Sequence, residues 1–265
     1  MLTHGSASRA PAKRSRSNRY ETRRRRNARY EHDEGAMLAM NTVFAIARKD
    51  LVIEWRTRTL LARVVPFALL VLVLFAVALD SEPLILRAAA GLVWLAMLFA
   101  TMLMVQRSFD LETVDSALDA LIGFVSSPSR VFFGKALALF VQLFALAVVL
   151  VCAAVVLYGA RVDGSGVVLL VTVLVTATLG LALVGTLYGV VVANLNGRDS
   201  LLPLLALPVL APLLIGAARA TEAAFGSDTI DMTNGWAWAA LLAVYAVVFG
   251  SAGAVAFAPL AQSDS

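Results

Sequence analysis

The chain has 265 residues, 60% of them apolar and 15% charged, and its mean hydropathy is +0.82. Those values exclude a soluble enzyme of ordinary composition and identify an integral membrane protein. The 22 Lys and Arg exceed the 18 Asp and Glu by a net charge of +4, but fourteen of the 22 precede Leu60, so the excess belongs to a basic head joined to a nearly neutral body.

Residues 1–35 carry the run Arg23, Arg24, Arg25, Arg26 and no apolar stretch, which predicts a disordered basic tail. No apolar segment follows the basic cluster directly, so the tail is not a signal peptide. It lacks the basic fold or aromatic platform of a nucleic-acid binder, and no nucleic-acid partner is expected. It is read as a dispensable extension, with Met37 or Met40 as alternative starts, or as a segment drawn to anionic membrane lipid.

Residues 36–59 predict an interfacial amphipathic helix. Met40, Val43, Phe44, Ala47, Leu51 and Trp55 recur at helical spacing, while Arg48, Lys49, Glu54, Arg56 and Arg58 are expected mostly elsewhere on the wheel. Packing on a cytoplasmic partner is the alternative role for this helix.

Six apolar stretches then approach the roughly 20 residues that cross a bilayer core. They cover residues 60–79, 84–105, 136–158, 167–193, 201–218 and 236–260, a membrane domain over 60–260. Spans in lipid must satisfy their own backbone, so the fold expected is all-α with six transmembrane helices. A cytoplasmic N-terminus puts the basic head, Arg107, Arg130, Lys135 and Arg198 inside. Only Arg87, Arg161 and Arg219 are then left outside, beside Asp80, Glu82, Asp163, Glu222, Asp228 and Asp231, which predicts N-in, C-in. Gly180, Gly185 and Gly189 in the fourth span would permit close helix approach. Pro203, Pro208 and Pro212 in the fifth each remove a helix N–H, marking either a hinge or lumen wall or a static bend.

The loop 106–135 is the longest between spans. From Phe109, Leu111, Val114, Leu118, Leu121 and Val125 fall on one side of a helix, with Glu112, Asp115 and Asp119 as a second stripe. An acidic helix gains nothing from an anionic leaflet; a basic protein partner fits it better. A helix that merely caps the bundle is the alternative.

Catalytic and cofactor signals are sparse. Gly134-Lys135 is not a phosphate loop, because Ser129 stands where the first Gly belongs and Ala136 where Ser or Thr would bind magnesium. No catalytic, metal or cofactor residue is assigned, and any ATP hydrolysis is expected in a separate subunit. The two histidines, His4 and His32, lie in the tail, so the body offers haem no His ligand. Met97, Met102 and Met104 read as packing, Trp236 and Trp238 as interfacial anchors, and the single Cys152 as core or lipid filler.

The loop residues Arg107, Phe109, Asp115, Leu118, Asp119, Leu121, Pro128 and the Gly134-Lys135 pair resemble, without gaps, the inner loop of the haem exporter B (CcmB) family of the cytochrome c maturation system. The second-span run "GLVWLAMLFATML", the "RDSLLPLLALPVLAPLLIGAARAT" segment and the opening "ARKDLVIEWRTRTLL" resemble that family too. Departures are Gln106, where Glu is frequent, and Ser116, where Gly is usual. The resemblance implies an ABC-2-like permease subunit in the inner membrane, with an amphipathic lead-in helix and a cytoplasmic coupling helix. Its implied partners are an ATPase A subunit, a haem-handling C subunit and an external haem chaperone. Haem is the ligand transported or handled, with none bound directly. ATPase coupling falls on Arg107, Phe109, Glu112, Asp115, Leu118, Asp119 and Leu121. A generic ABC-2 exporter of lipid or drug and a non-transporting membrane scaffold are the alternatives.

Overall fold

The computed structural model describes residues 40–55, 64–78, 82–114, 128–160, 162–193, 198–226 and 230–260. Contacts divide the chain into a first unit, Met1–Thr42, of which only residues 40–42 are described, and a second, Val43–Ser265, which holds the helical bundle. The expected basic tail lies outside the described residues.

Seven helices occur among the described residues. α1 covers residues 40–55, α2 Val65–Ala78, α3 Glu82–Val114, α4 Pro128–Tyr158, α5 Gly164–Ala193, α6 Arg198–Ala224 and α7 Met232–Leu260. Five of them hold segments long and apolar enough to cross a membrane: Ala88–Gln106, Ser129–Tyr158, Gly164–Val191, Ala206–Ala224 and Met232–Ala256. The first expected span, 60–79, is described only as the 14-residue α2. At 1.5 Å per residue that is about 21 Å of helix, short of a ~30 Å hydrocarbon core.

Several helix ends differ from those expected, because hydropathy marks where lipid ends and not where a helix must. α4 begins at Pro128, eight residues ahead of the expected boundary. Proline suits a first helical position, where its missing N–H has no partner to lose. α6 continues past Ala218 to Ala224, carrying Arg219 and Glu222, which were expected in a loop. Their side chains pair one turn apart at 3.2 Å, so the charges support the helix that they were expected to end. What stops α4 and α6 is a glycine just beyond each, Gly159 at φ 65° and Gly226 at φ 71°. That left-handed conformation is cheap only without a Cβ.

α5 is the central helix, packed against α3, α4, α6 and α7; α2 packs on α3 and α4. α3 is the most enclosed, with 72% of its membrane segment buried, against 22% for the peripheral α7. Trp94, Met97, Phe132, Leu143, Leu146, Leu150, Leu181, Leu210 and Leu213 are among the core side chains. α2 is held on by the Tyr158 hydroxyl, which donates to the Leu72 carbonyl at 2.7 Å.

Close approaches fix the register. At one end of the bundle, a Cβ on Gly235 would lie 2.7 Å from both Ala223 and Leu169, bringing the start of α7 against the end of α6 and the start of α5. At the other, a Cβ on Gly185 would lie 2.8 Å from Val105 and 3.3 Å from Leu139, and one on Gly253 would strike the ring of Phe132. Between helices in lipid the driving force is packing rather than escape from water, and small residues supply it.

Gly253→Val should therefore lower bundle stability by about 1–3 kcal/mol, the usual cost of overpacking. Thermal unfolding in detergent measures it. Phe132→Ala in the same chain should recover part of the loss, and a Gly253→Val protein as stable as the parent would refute the packing.

Candidate functional site

At the end of the bundle where α3 finishes and α4 begins, the described residues 106–114 and 128–135 of the 106–135 stretch are helical. α3 runs unbroken to Val114, so residues 107–114 extend the same helix beyond its apolar segment Ala88–Gln106. Thirty-three residues make a helix of roughly 50 Å, too long for the hydrocarbon alone; the surplus carries charge. Arg107, Phe109 and Glu112 lie on this extension. Asp115, Leu118, Asp119 and Leu121 lie in 115–127, outside the described residues. The expected helix starting at Phe109 thus starts as a continuation of α3 instead of after a break. α4 takes up the chain again at Pro128, which leads the helix.

Gly134 and Lys135 belong to α4 itself. A Cβ at Gly134 would sit 2.8 Å from the Ile46 side chain and 3.2 Å from the Val43 carbonyl, so this glycine lets α1 cross directly over α4. Lys135 is buried, 3% exposed, one residue further on. A Gly-Lys pair in mid-helix, under a crossing helix, has no loop amides to offer a phosphate.

The opposite end holds a polar group that sequence reasoning missed. The Trp94 indole N–H donates to the Thr221 hydroxyl at 2.9 Å, joining α3 to α6 across 127 positions of sequence. Thr221 is fully buried and Trp94 nearly so. Next to Thr221 the buried Glu222 accepts from the half-exposed Arg219. The only sequence signal was Trp94 itself, deep in the second apolar run and so away from the interfacial belts where tryptophan gathers. A buried indole looks for an acceptor.

The remaining candidates fall in several places. Gly180 meets Leu213 of α6, with Tyr245 of α7 3.5 Å from where a Cβ would be, whereas Gly185 meets α3 and α4, so the two glycines serve different neighbours. Gly189 is buried. α6 is one continuous helix through Pro203, Pro208 and Pro212, and Pro208 and Pro212 lie on its exposed face. Pro212 leaves the Pro208 carbonyl without its helical donor; the adjacent Val209 carbonyl accepts from the Tyr245 hydroxyl at 2.6 Å, which ties this stretch to α7. Met97, Met102 and Met104 are core residues, and Cys152 faces outward. Among the described residues no three His, Cys, Asp or Glu side chains converge.

Compared with known protein families, the chain matches the family model described as CcmB protein over residues 41–264. No curated protein matches it.

The Trp94–Thr221 bond predicts a measurable loss on Thr221→Val, which keeps the shape and removes the acceptor. Hydrogen bonds between membrane helices are worth about 0.6 kcal/mol on average and up to about 1.7. Unfolding in mixed micelles should register a loss in that range, with Trp94→Phe adding little to it. Fully additive losses would mean that the two side chains do not act on each other.

Proposed function

The chain belongs to the CcmB family, and from that premise we propose that it joins the hydrolysis of ATP by a separate subunit to haem delivery through the α3–α4 connection. It is a multi-pass inner-membrane protein of haem transport and cytochrome c-type biogenesis. It is a permease subunit and not an enzyme, and the ABC ATPase CcmA is its partner.

The observation that carries the proposal is the extension of α3. A helix rooted in the most enclosed part of the bundle projects eight residues, 107–114, past its apolar segment and bears Arg107, Asp110 and Glu112. In our reading this extension, with Asp115 and Asp119 next to it in the sequence, seats in the ATPase. Closure of the ATPase then moves the ends of α3 and α4, which pack at Val105 and Leu139 against Gly185 of the central α5.

The same reading takes α2 as part of a sixth span and both termini as cytoplasmic. Charge supports that orientation. Arg48, Lys49, Arg130 and Lys135 gather at the end where α3 finishes, and Asp163, Glu222 and Asp231 at the other. Haem enters as cargo of the complex. Both histidines of this chain lie in the tail, so the iron is assigned to the C subunit, from which the external chaperone is loaded.

Charge reversal at Asp115 and Asp119 together, each to Lys, should remove the ATPase from affinity-purified membranes and lower holo c-type cytochromes at least about tenfold, since like charges set against each other at an interface cost several kcal/mol. Val247→Leu on the exposed face of α7 is the control. Undiminished co-purification and cytochrome assembly would overturn the coupling role of this stretch.

A further inference from the structure

The crossing of α1 over α4 leaves a groove that the coupling role does not use. α1 is pinned where Ile46 covers Gly134. Between the two helices lies a cavity of about 390 Å³, within the size range of small-molecule sites. Its walls are the α1 residues Phe44, Leu51, Val52 and Trp55 and the α4 residues Leu137 and Val141. Successive wall positions on α1 recur at helical spacing, and Arg48 lies in the same stripe between Phe44 and Val52. The wheel was expected to keep Arg48 mostly apart from the apolar residues; the fold sets it among them.

Two observations narrow the occupant. Leu137 and Val141 belong to the candidate membrane segment Ser129–Tyr158, so one wall is part of a helix apolar enough to cross a bilayer. The other wall ends in Trp55, 80% exposed, a residue suited to the headgroup level, and the sequence continues into Arg56 and Arg58. An apolar groove with one arginine among its lining residues matches a molecule with a hydrocarbon tail and an anionic head. Lys49 is paired with Asp50 at 3.7 Å, whereas Arg48 is the cation that lines the slot.

We propose that the groove between α1 and α4 holds one anionic phospholipid, an acyl chain lying along Leu51, Val52, Trp55, Leu137 and Val141 and the phosphate on the Arg48 guanidinium. The lipid would complete the contact between α1 and the bundle beyond Gly134. Its presence does not depend on how the ATPase docks.

The test uses the full chain, alone and in complex with its ATPase, in phosphatidylcholine nanodiscs doped with phosphatidylglycerol that carries a photoreactive group on one acyl chain. Labelling should concentrate on peptides 44–55 and 137–141. Leu137→Trp, which fills the slot, should abolish that labelling and leave the lipid-exposed face around Val247 labelled as before. Arg48→Gln, at an exposed position that folding does not need, should weaken competition by unlabelled phosphatidylglycerol about fivefold, the loss of one basic contact at the headgroup. Labelling spread over all outward faces and indifferent to both variants would overturn the proposal. So would equal competition by phosphatidylcholine, or a groove labelled in the lone chain but shielded in the complex, which would mean that a protein segment occupies it.

Discussion

Inside a bilayer a peptide group has no water to turn to, and that constraint governs this structure. Its hydroxyls close on the backbone. Thr101 donates to the Met97 carbonyl, Thr178 to Leu174 and Thr186 to Ala182, each one turn back in its own helix. Tyr158 and Tyr245 do the same across helices, to Leu72 and Val209. The second of these falls beside the carbonyl that Pro212 orphans, so α6 is tied to α7 where its own hydrogen-bond ladder lacks a donor. Once the polar groups are satisfied, association of the helices rests on fit, and glycines at the crossings allow it.

The resulting antiparallel register gives the protein two chemically different ends. One gathers basic side chains, the crossing of α1 over α4, and the projecting helix of α3. The other is closed by glycines around α6 and α7 and locked by Trp94 on Thr221. α5 touches both sets of helices, packed by Gly185 against α3 and α4 and by Gly180 against α6 and α7. A displacement at the base of α3 or α4 therefore meets no loose layer before it reaches α6. Packed interiors respond to such displacements by shifting between arrangements rather than by stretching.

Much of this was legible in the sequence, for reasons that differ from element to element. The helical membrane class comes from hydropathy and the backbone constraint, and the amphipathic helix from the spacing of Val43, Phe44, Ala47 and Leu51. The family emerged from an ordered set of polar residues around Arg107 and Asp119, since only polar positions stand out against interchangeable apolar ones. Helix ends were poorly legible. Arg219 and Glu222 read as loop because hydropathy counts each charge separately and cannot see that the two neutralise each other one turn apart. The Trp94–Thr221 bond was invisible because it joins positions 127 apart. Gly134 was read for the Lys next to it, when its use is the absence of a side chain beneath Ile46.

The central claim is that the helix leaving α3 is where the ATPase takes hold, and it can be measured directly because Cys152 is the chain's only cysteine. With Cys152→Ser as background and Ser116→Cys as the probe, a short bifunctional thiol reagent in native membranes should cross-link this chain to the ATPase, with a yield that changes when the ATPase is trapped in its ATP-bound state. A Ser116→Cys chain that forms no such product under either condition, while Val247→Cys on the far face of α7 behaves identically, would contradict the claim.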